Sequence, residues 1–311
     1  MLFFLSLVSC VDYAINRRKM VDSYVQPSRE AGVDILWVID NSASMFEEQE
    51  QLASHVAHFT DYITAAPVDF RIGVITTDMA IDQPGQLVEG QLLHPGTLDL
   101  AQAFASLILL EEGSRDEKGF ETTLLALEPE GVNQGLIDPA ADLEVIFFSD
   151  EDEQSEMTSE SFLAALGSLR SNSNIAVNSI SGDPPEGCAS VFGAADPGFK
   201  YHEVQENTYG IRESICSLDY DAMLERIALK VLGLENTFAL NAAPDLDSLE
   251  VFVDGALIHR RERHGWHYDA GQNAVIFDGF AVPPPGADIV FKYFLWIGTE
   301  DDLEEEAEAK Q

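Results

Sequence analysis

Basic residues are scarce in this chain of 311 amino acids: 17 lysines and arginines stand against 55 aspartates and glutamates, a formal charge of −38. Such a field repels phosphate backbones and anionic membrane surfaces, which excludes nucleic acid and leaves cationic, metal-bridged or apolar partners. The acids run along the whole chain, the pattern of a strongly hydrated surface rather than of one acidic patch. Long hydrophobic runs are also lacking, and the apolar stretch at residues 1–10 is too short to span a bilayer. A glycine-rich phosphate loop, a Gly-x-Ser-x-Gly elbow and a HExxH pair are absent, which removes the common nucleotide-binding and hydrolase signatures. Cysteine is limited to three residues.

Apolar residues make up 46% of the chain, enough for a large α/β domain and a smaller one. The stretch Leu7-Val8-Ser9-Cys10 closes the apolar start and is similar to a bacterial lipobox, in which the cysteine becomes the lipidated first residue. No Lys or Arg precedes Cys10, a departure from the usual basic leader. The reading is a signal segment over 1–10 and an exported, membrane-anchored lipoprotein of the cell envelope; the alternative is a buried strand with an incidental cysteine. With Cys10 lipidated, Cys188 and Cys216 remain as one even pair in an oxidising compartment. Their disulfide would tie the loop at 182–198 to the segment before the last helix of the large domain.

Residues 11–31 show no sustained periodicity and read as a tether. A short apolar run then ends at Asp40, followed by hydroxyls at Ser42 and Ser44. Leu52, Val56, Phe59 and Ile63 recur at helical spacing over about 45–65. A second strand runs from Phe70 to Asp78, a loop or hairpin covers 82–96, and Thr97 is expected to cap a buried helix reaching about Leu110. The polar loop at 113–123 feeds a helix expected over 123–128. Leu143 to Asp150 repeats the logic of the first strand, an apolar run that stops at an aspartate. Phe162, Leu166 and Leu169 stripe the next helix, Ile175 to Ile180 gives a strand, and Asp219 caps a closing helix carrying Tyr220, Met223, Ile227 and Val231. Alternating strands and helices over 32–235 predict a doubly wound, mostly parallel sheet, with ligands at the strand ends marked by Asp40, Asp78 and Asp150. After Asn236 the period changes to two, predicting a small antiparallel β module over 236–298, and 299–311 form an acidic tail.

Asp40, Ser42 and Ser44 spell Asp-x-Ser-x-Ser at a strand end. Hard cations such as Mg²⁺ and Ca²⁺ take oxygen ligands, and one loop can turn a carboxylate and two hydroxyls toward a common point. The pattern resembles the metal-ion-dependent adhesion site, MIDAS, of von Willebrand factor A domains. That resemblance covers about 32–235 and implies a Rossmann-like fold. It also implies direct ligation by Ser42 and Ser44, an Asp40 that acts largely through water, and a last ligand at Asp150. In the family a threonine from a second loop contributes, and a partner's acidic side chain completes the coordination. Here the alignment puts Glu121 at the threonine position and Thr122 one residue away, and both remain candidates. A glutamate there would leave the loaded site net negative and weaken capture of an outside carboxylate. The layout around Asp40, Asp78 and Asp150 also resembles bacterial lipoproteins bearing this domain.

The expectation is a non-enzymatic envelope protein that binds a divalent cation, Mg²⁺ or Ca²⁺, and engages a protein partner. Two alternatives stand beside it: a structural envelope module stabilised by Ca²⁺, and a metal-dependent hydrolase using Asp40. Asp78 is read as an extra ligand or as a turn residue. His55 and His58, three apart on one helix, are read as a solvated face, and His264 with His267 as part of a hairpin loop.

Overall fold

The computed structural model describes residues 18–295 except 30, 134, 171–173 and 262. Strand β1 (Lys19–Val25) comes first, followed by β2 (Val33–Ile39), helix α1 (Phe46–Ala65), β3 (Phe70–Thr76), β4 (Leu92–Leu93), α2 (Leu100–Ile108) and α3 (Gly119–Ala126). Then come β5 (Asp142–Phe148), α4 (Ser159–Leu169), β6 (Ile175–Ser181), the small ribbon β7 (Cys188–Ala189) and β8 (Ala194–Ala195), α5 (Phe199–Asn207), β9 (Arg212–Ser214) and α6 (Tyr220–Leu232). The remainder holds the strands β10 (Thr237–Ala239), β11 (Glu250–Val253), β12 (Ala256–Ile258), β13 (Trp266–Asp269), β14 (Ala274–Phe277) and β15 (Asp288–Phe294), with single 3-10 turns at Leu246–Ser248 and Gly279–Ala281. The described residues divide into two units, one within 27–235 and the other formed by 18–26 with 236–295.

The first unit is built on a six-stranded sheet in the order β4-β3-β2-β5-β6-β9. All its pairings are parallel except that of the short edge strand β4 with β3. Every residue of β2 and β5 is buried, because helices cover both faces of the sheet. Val33, Ile35, Trp37 and Ile39 pack toward Leu52, Val56 and Phe59 of α1, Phe104 of α2 and Ile227 of α6. Leu36 and Val38 face Phe120 of α3, Phe162 of α4 and Tyr201 of α5. Trp37 anchors the first face, with the rings of Phe59 and Phe104 each 5.5 Å away.

The closing helix follows its expected course, and the Asp219 carboxylate accepts from Ala222 N. The Cys188–Cys216 disulfide is formed, tying the ribbon to the segment before α6. Other boundaries moved. Helix α2 starts after Asp99, which adopts a left-handed conformation, and Thr97 does not cap it: its hydroxyl accepts from His94 N instead. Helix α3 begins at Gly119, four residues before the expected start, because Phe120 stacks on Phe162 at 4.2 Å and Glu153 Oε2 accepts the Phe120 N–H at 2.9 Å. His55 and His58 are only partly exposed and both reach the Asp221 carboxylate of α6, at 2.6 and 3.1 Å. Helix α5 and strand β9 had no expectation attached to them.

The second unit is a β sandwich, and it corrects the tether expected over 11–31. Residues 19–25 form β1, which pairs antiparallel with β15 along its whole length, Lys19 opposite Phe294 and Val25 opposite Asp288. One sheet runs β1-β15-β11-β12 and the other β10-β14-β13. Val251, Ile289 and Phe291 of the first share one core with Phe238, Val275 and Phe277 of the second. Asp22 of β1 is buried and accepts from Tyr293 Oη at 2.7 Å and from Asn241 Nδ2 at 2.6 Å. His264 precedes β13 and stacks on Phe280, and His267 lies within β13. The expected signal segment with Cys10, and the acidic tail at 299–311, lie outside the described residues.

Candidate metal centre

Parallel strands β2 and β5 lie side by side, so their carboxyl ends deliver the following residues to one place. Asp40 N donates to Phe148 O, and Ser149 N to Ile180 O, extending the ladder one step past each strand. Asp40 is fully buried, Ser42 nearly so, and Ser44 is exposed, so the loop opens to solvent on the Ser44 side. Ser42 Oγ and Ser44 Oγ are 3.0 Å apart. That is the spacing of neighbouring oxygens around one small hard cation held at about 2.1 Å.

Both carboxylate oxygens of Asp40 are engaged by protein hydrogens. Oδ1 accepts from Ser42 N at 2.8 Å and Oδ2 from Ser149 Oγ at 2.7 Å. Asp40 therefore orients the loop and contributes charge more readily than a direct metal bond. Asp150 is different. It is 5% exposed, the Ser44 hydroxyl hydrogen-bonds to it, and its Oδ1 has no hydrogen-bond partner. Burial, then the charge of Asp40, pushes the Asp150 carboxyl up to about 7.

Neither second-loop candidate joins this group. Thr122 is buried inside α3 and its hydroxyl donates to Gly119 O, while Glu121 sits half-buried in the first turn, where its charge acts on Lys118. The acid that arrives is Glu117, from the loop ahead of α3. Its side chain lies in the field of Asp40, Glu151 and Asp150, and burial, then those charges, holds its carboxyl well above the usual range. Glu117 lies two residues ahead of the observed helix start and six ahead of the expected one, so no local pattern singles it out.

Asp78 is a support rather than a ligand. Its carboxylate accepts from Ser114 N, Ser114 Oγ and Ala80 N, and these bonds outweigh burial to hold it below the usual carboxylate range. They fasten the loop that carries Glu117. Gly113 lets that loop approach, since a Cβ there would lie 2.4 Å from Asn41 Nδ2.

The buried acids at the opposite strand ends provide a comparison. Asp34 is paired with Arg71 at 2.7 Å and Arg170 at 3.4 Å, and Glu144 with Arg29 at 2.8 Å. Among the described residues no Lys, Arg or His forms an ion pair with Asp40, Glu117 or Asp150.

No protein-family model matches the chain, and no curated protein does. Among solved structures it is similar to the pilus adhesin SpaC from Lactobacillus rhamnosus GG in its open conformation, with 13% identity and a TM-score of 0.49 over 91% of this chain and 43% of that one. It is also similar to proximal thread matrix protein 1 from the mussel byssus, with 11% identity and a TM-score of 0.42 over 70% and 51%. A structure of that mussel protein with a zinc-occupied MIDAS motif matches at 12% identity and a TM-score of 0.40, over 67% and 47%. The chain thus spans about half, or less, of the structures it resembles, and these are likenesses of architecture at low identity.

The donor set fits a hard divalent cation: two hydroxyls at the right spacing and buried carboxylate oxygens without partners. Among the described residues no three His, Cys, Asp or Glu side chains are gathered tightly enough to hold an ion by themselves. A bound dication would supply positive charge to acids that have none.

Proposed function

We propose that this protein is a non-enzymatic, exported module of the von Willebrand factor A type that holds Mg²⁺ or Ca²⁺ at Ser42, Ser44 and Asp150, with Asp40 behind them, and uses that surface to engage a protein partner. The observation that carries the reading is the unequal treatment of buried acids in one sheet. Those at the strand starts have guanidinium partners, whereas Asp40 and Asp150 at the strand ends have no cationic partner, and Asp150 keeps an unpaired Oδ1 next to a pair of neighbouring hydroxyls. Burying a carboxylate without compensation is costly, so a cluster retained at the ligand-gathering edge of the sheet is best understood as a cation site. Exposure of Ser44 gives a bound ion a side open to the outside.

Anchoring by a lipid on Cys10 belongs to the same proposal and rests on the lipobox-like stretch. Among the described residues no helix is long and apolar enough to cross a membrane. Calorimetric titration of Mg²⁺ and Ca²⁺ into the wild type and Asp40→Ala tests the cation. Saturable heat in the wild type and its loss in the variant is the expected result, and equal, negligible heats in both would overturn the reading. Capture of a partner from cell envelopes, abolished by chelator, tests the interaction. A stabilising ion with no partner would instead raise the melting temperature while leaving capture unchanged.

A further inference from the structure

Three of the chain's 17 lysines and arginines and three of its 7 histidines fall between His259 and His267, although the chain as a whole carries a charge of −38. Arg260, Arg261 and Arg263 are exposed, and among the described residues none of them forms an ion pair. The loop that carries them has a fixed course. Trp266 Nε1 donates to Ile258 O at 2.8 Å, Arg261 N donates to Trp266 O at 3.3 Å, and the Arg260 guanidinium lies 5.9 Å from the centre of the Trp266 ring. Gly265 permits this fold-back, because a Cβ there would meet Arg261 Cβ at 2.7 Å.

Strand register gathers more cations at the same end of the sandwich. Val251 pairs with Ile258 on one side and with Phe291 on the other, so β12 and β15 run in one direction and leave the sheet at the same end. Lys19 lies opposite Phe294, and Arg18 O accepts from Leu295 N, which sets two exposed basic residues beside the exit of β15. Acids are present there too: Asp245 N donates to Phe294 O, Asp278 N donates to Gly265 O, and Glu250 stands opposite Lys292. They leave the three loop arginines unpaired.

We infer that this basic end is the docking surface for the chain's own acidic segment, Glu300 to Glu308, which holds seven acids and no base. Leu295 is the last described residue ahead of that segment. Two strand spacings separate β15 from β12, about 10 Å, and the five steps from Leu295 to Glu300 reach about 16 Å when extended. Linkage within one chain decides the occupant. A separate polyanion has to approach a molecule of charge −38, and exposed ion pairs are individually weak. A segment attached within reach is present at an effective concentration of about millimolar, so it meets the arginines first. A second copy would bring the same acids together with the repulsion of its whole surface.

A nitroxide on Ala309→Cys, in a Cys10→Ser background of the 311-residue chain, reads the contact as broadening of the amide signals of 259–267. The comparison needs three forms: native charges, the triple variant Arg260→Gln, Arg261→Gln and Arg263→Gln, and a form with all seven acids of 300–308 changed to glutamine. The last leaves the sandwich sequence untouched, and unchanged amide shifts in β1 and β15 verify folding of each. We expect strong broadening with native charges, its fall to the level of the neutral segment in the arginine variant, and its loss as ionic strength rises from about 0.02 M to about 0.5 M. Changing the three arginines to glutamate and the seven acids to lysine together should restore it. Equal broadening in all forms would show that attachment alone brings the segment near, and would overturn the inference. Broadening that arises only between spin-labelled and isotope-labelled copies in a mixture would overturn it in favour of a contact between two chains.

Discussion

Asp34 opens β2 at 1% exposure with two arginines on its carboxylate, and Asp150 follows β5 at 5% exposure with none. The folded Asp150 carboxyl titrates near 7, above its unfolded value of about 4, so the folded state holds the extra proton between those limits. Its stabilising contribution is complete below about pH 4 and disappears as the pH rises through 7. Glu117 is shifted in the same direction. In chelator the melting temperature should therefore fall between about pH 5 and pH 8, and a divalent cation at pH 8 should restore it. Asp150→Asn should flatten that pH dependence. A slope identical to the wild type would show that Asp150 is already compensated in some other way.

At the level of elements, the loop between α2 and α3 is held by Asp78 rather than by its own sequence. Asp78→Ala leaves Ser114 N without its acceptor and releases the segment that positions Glu117. The expected cost is about 1–3 kcal/mol in urea denaturation, together with weaker cation binding. Full stability in that variant would mean that the bridge and the Gly113 contact hold the loop alone. The start of α3 obeys the same logic, since its first turn is satisfied by Glu153, a carboxylate more than thirty residues downstream. A cap supplied from another loop leaves no local signature, and this is why the helix appeared to begin at 123. The opening loop behaved in the opposite way. Asp40, Ser42 and Ser44 are neighbours in sequence, so their spacing alone was enough to group them.

For the molecule as a whole, the sandwich is discontinuous in sequence, with β1 joined to strands that follow 236. Asp22 is the polar tie, and Asp22→Ala would strand the buried Tyr293 hydroxyl donor and remove the acceptor of the exposed Asn241 amide. We expect a loss of about 1–3 kcal/mol confined to the sandwich. Amide hydrogen exchange should read it as faster exchange in β1 and β15 with β2 and β5 unchanged, and uniform acceleration through both units would contradict that separation. The disulfide closes a sequence separation of 28 residues in the other unit, worth about 3.6 kcal/mol in chain entropy.

The sequence by itself determined what depends on local pattern: the period of each buried strand, the turn to period two after 236, the Asp-x-Ser-x-Ser loop, and the strand-end aspartate at 150. Each of these is set by side chains within a few residues of one another. Tertiary structure decided what depends on partners far along the chain. It moved the start of α3 to a cap from Glu153, turned an apparent tether into the strand opposite β15, and brought Glu117 into the field of Asp40 and Asp150. The reason is the same in each case: a hydrogen bond or a charge contributed from a distant segment outweighs local propensity, and nothing within the segment itself records that contribution.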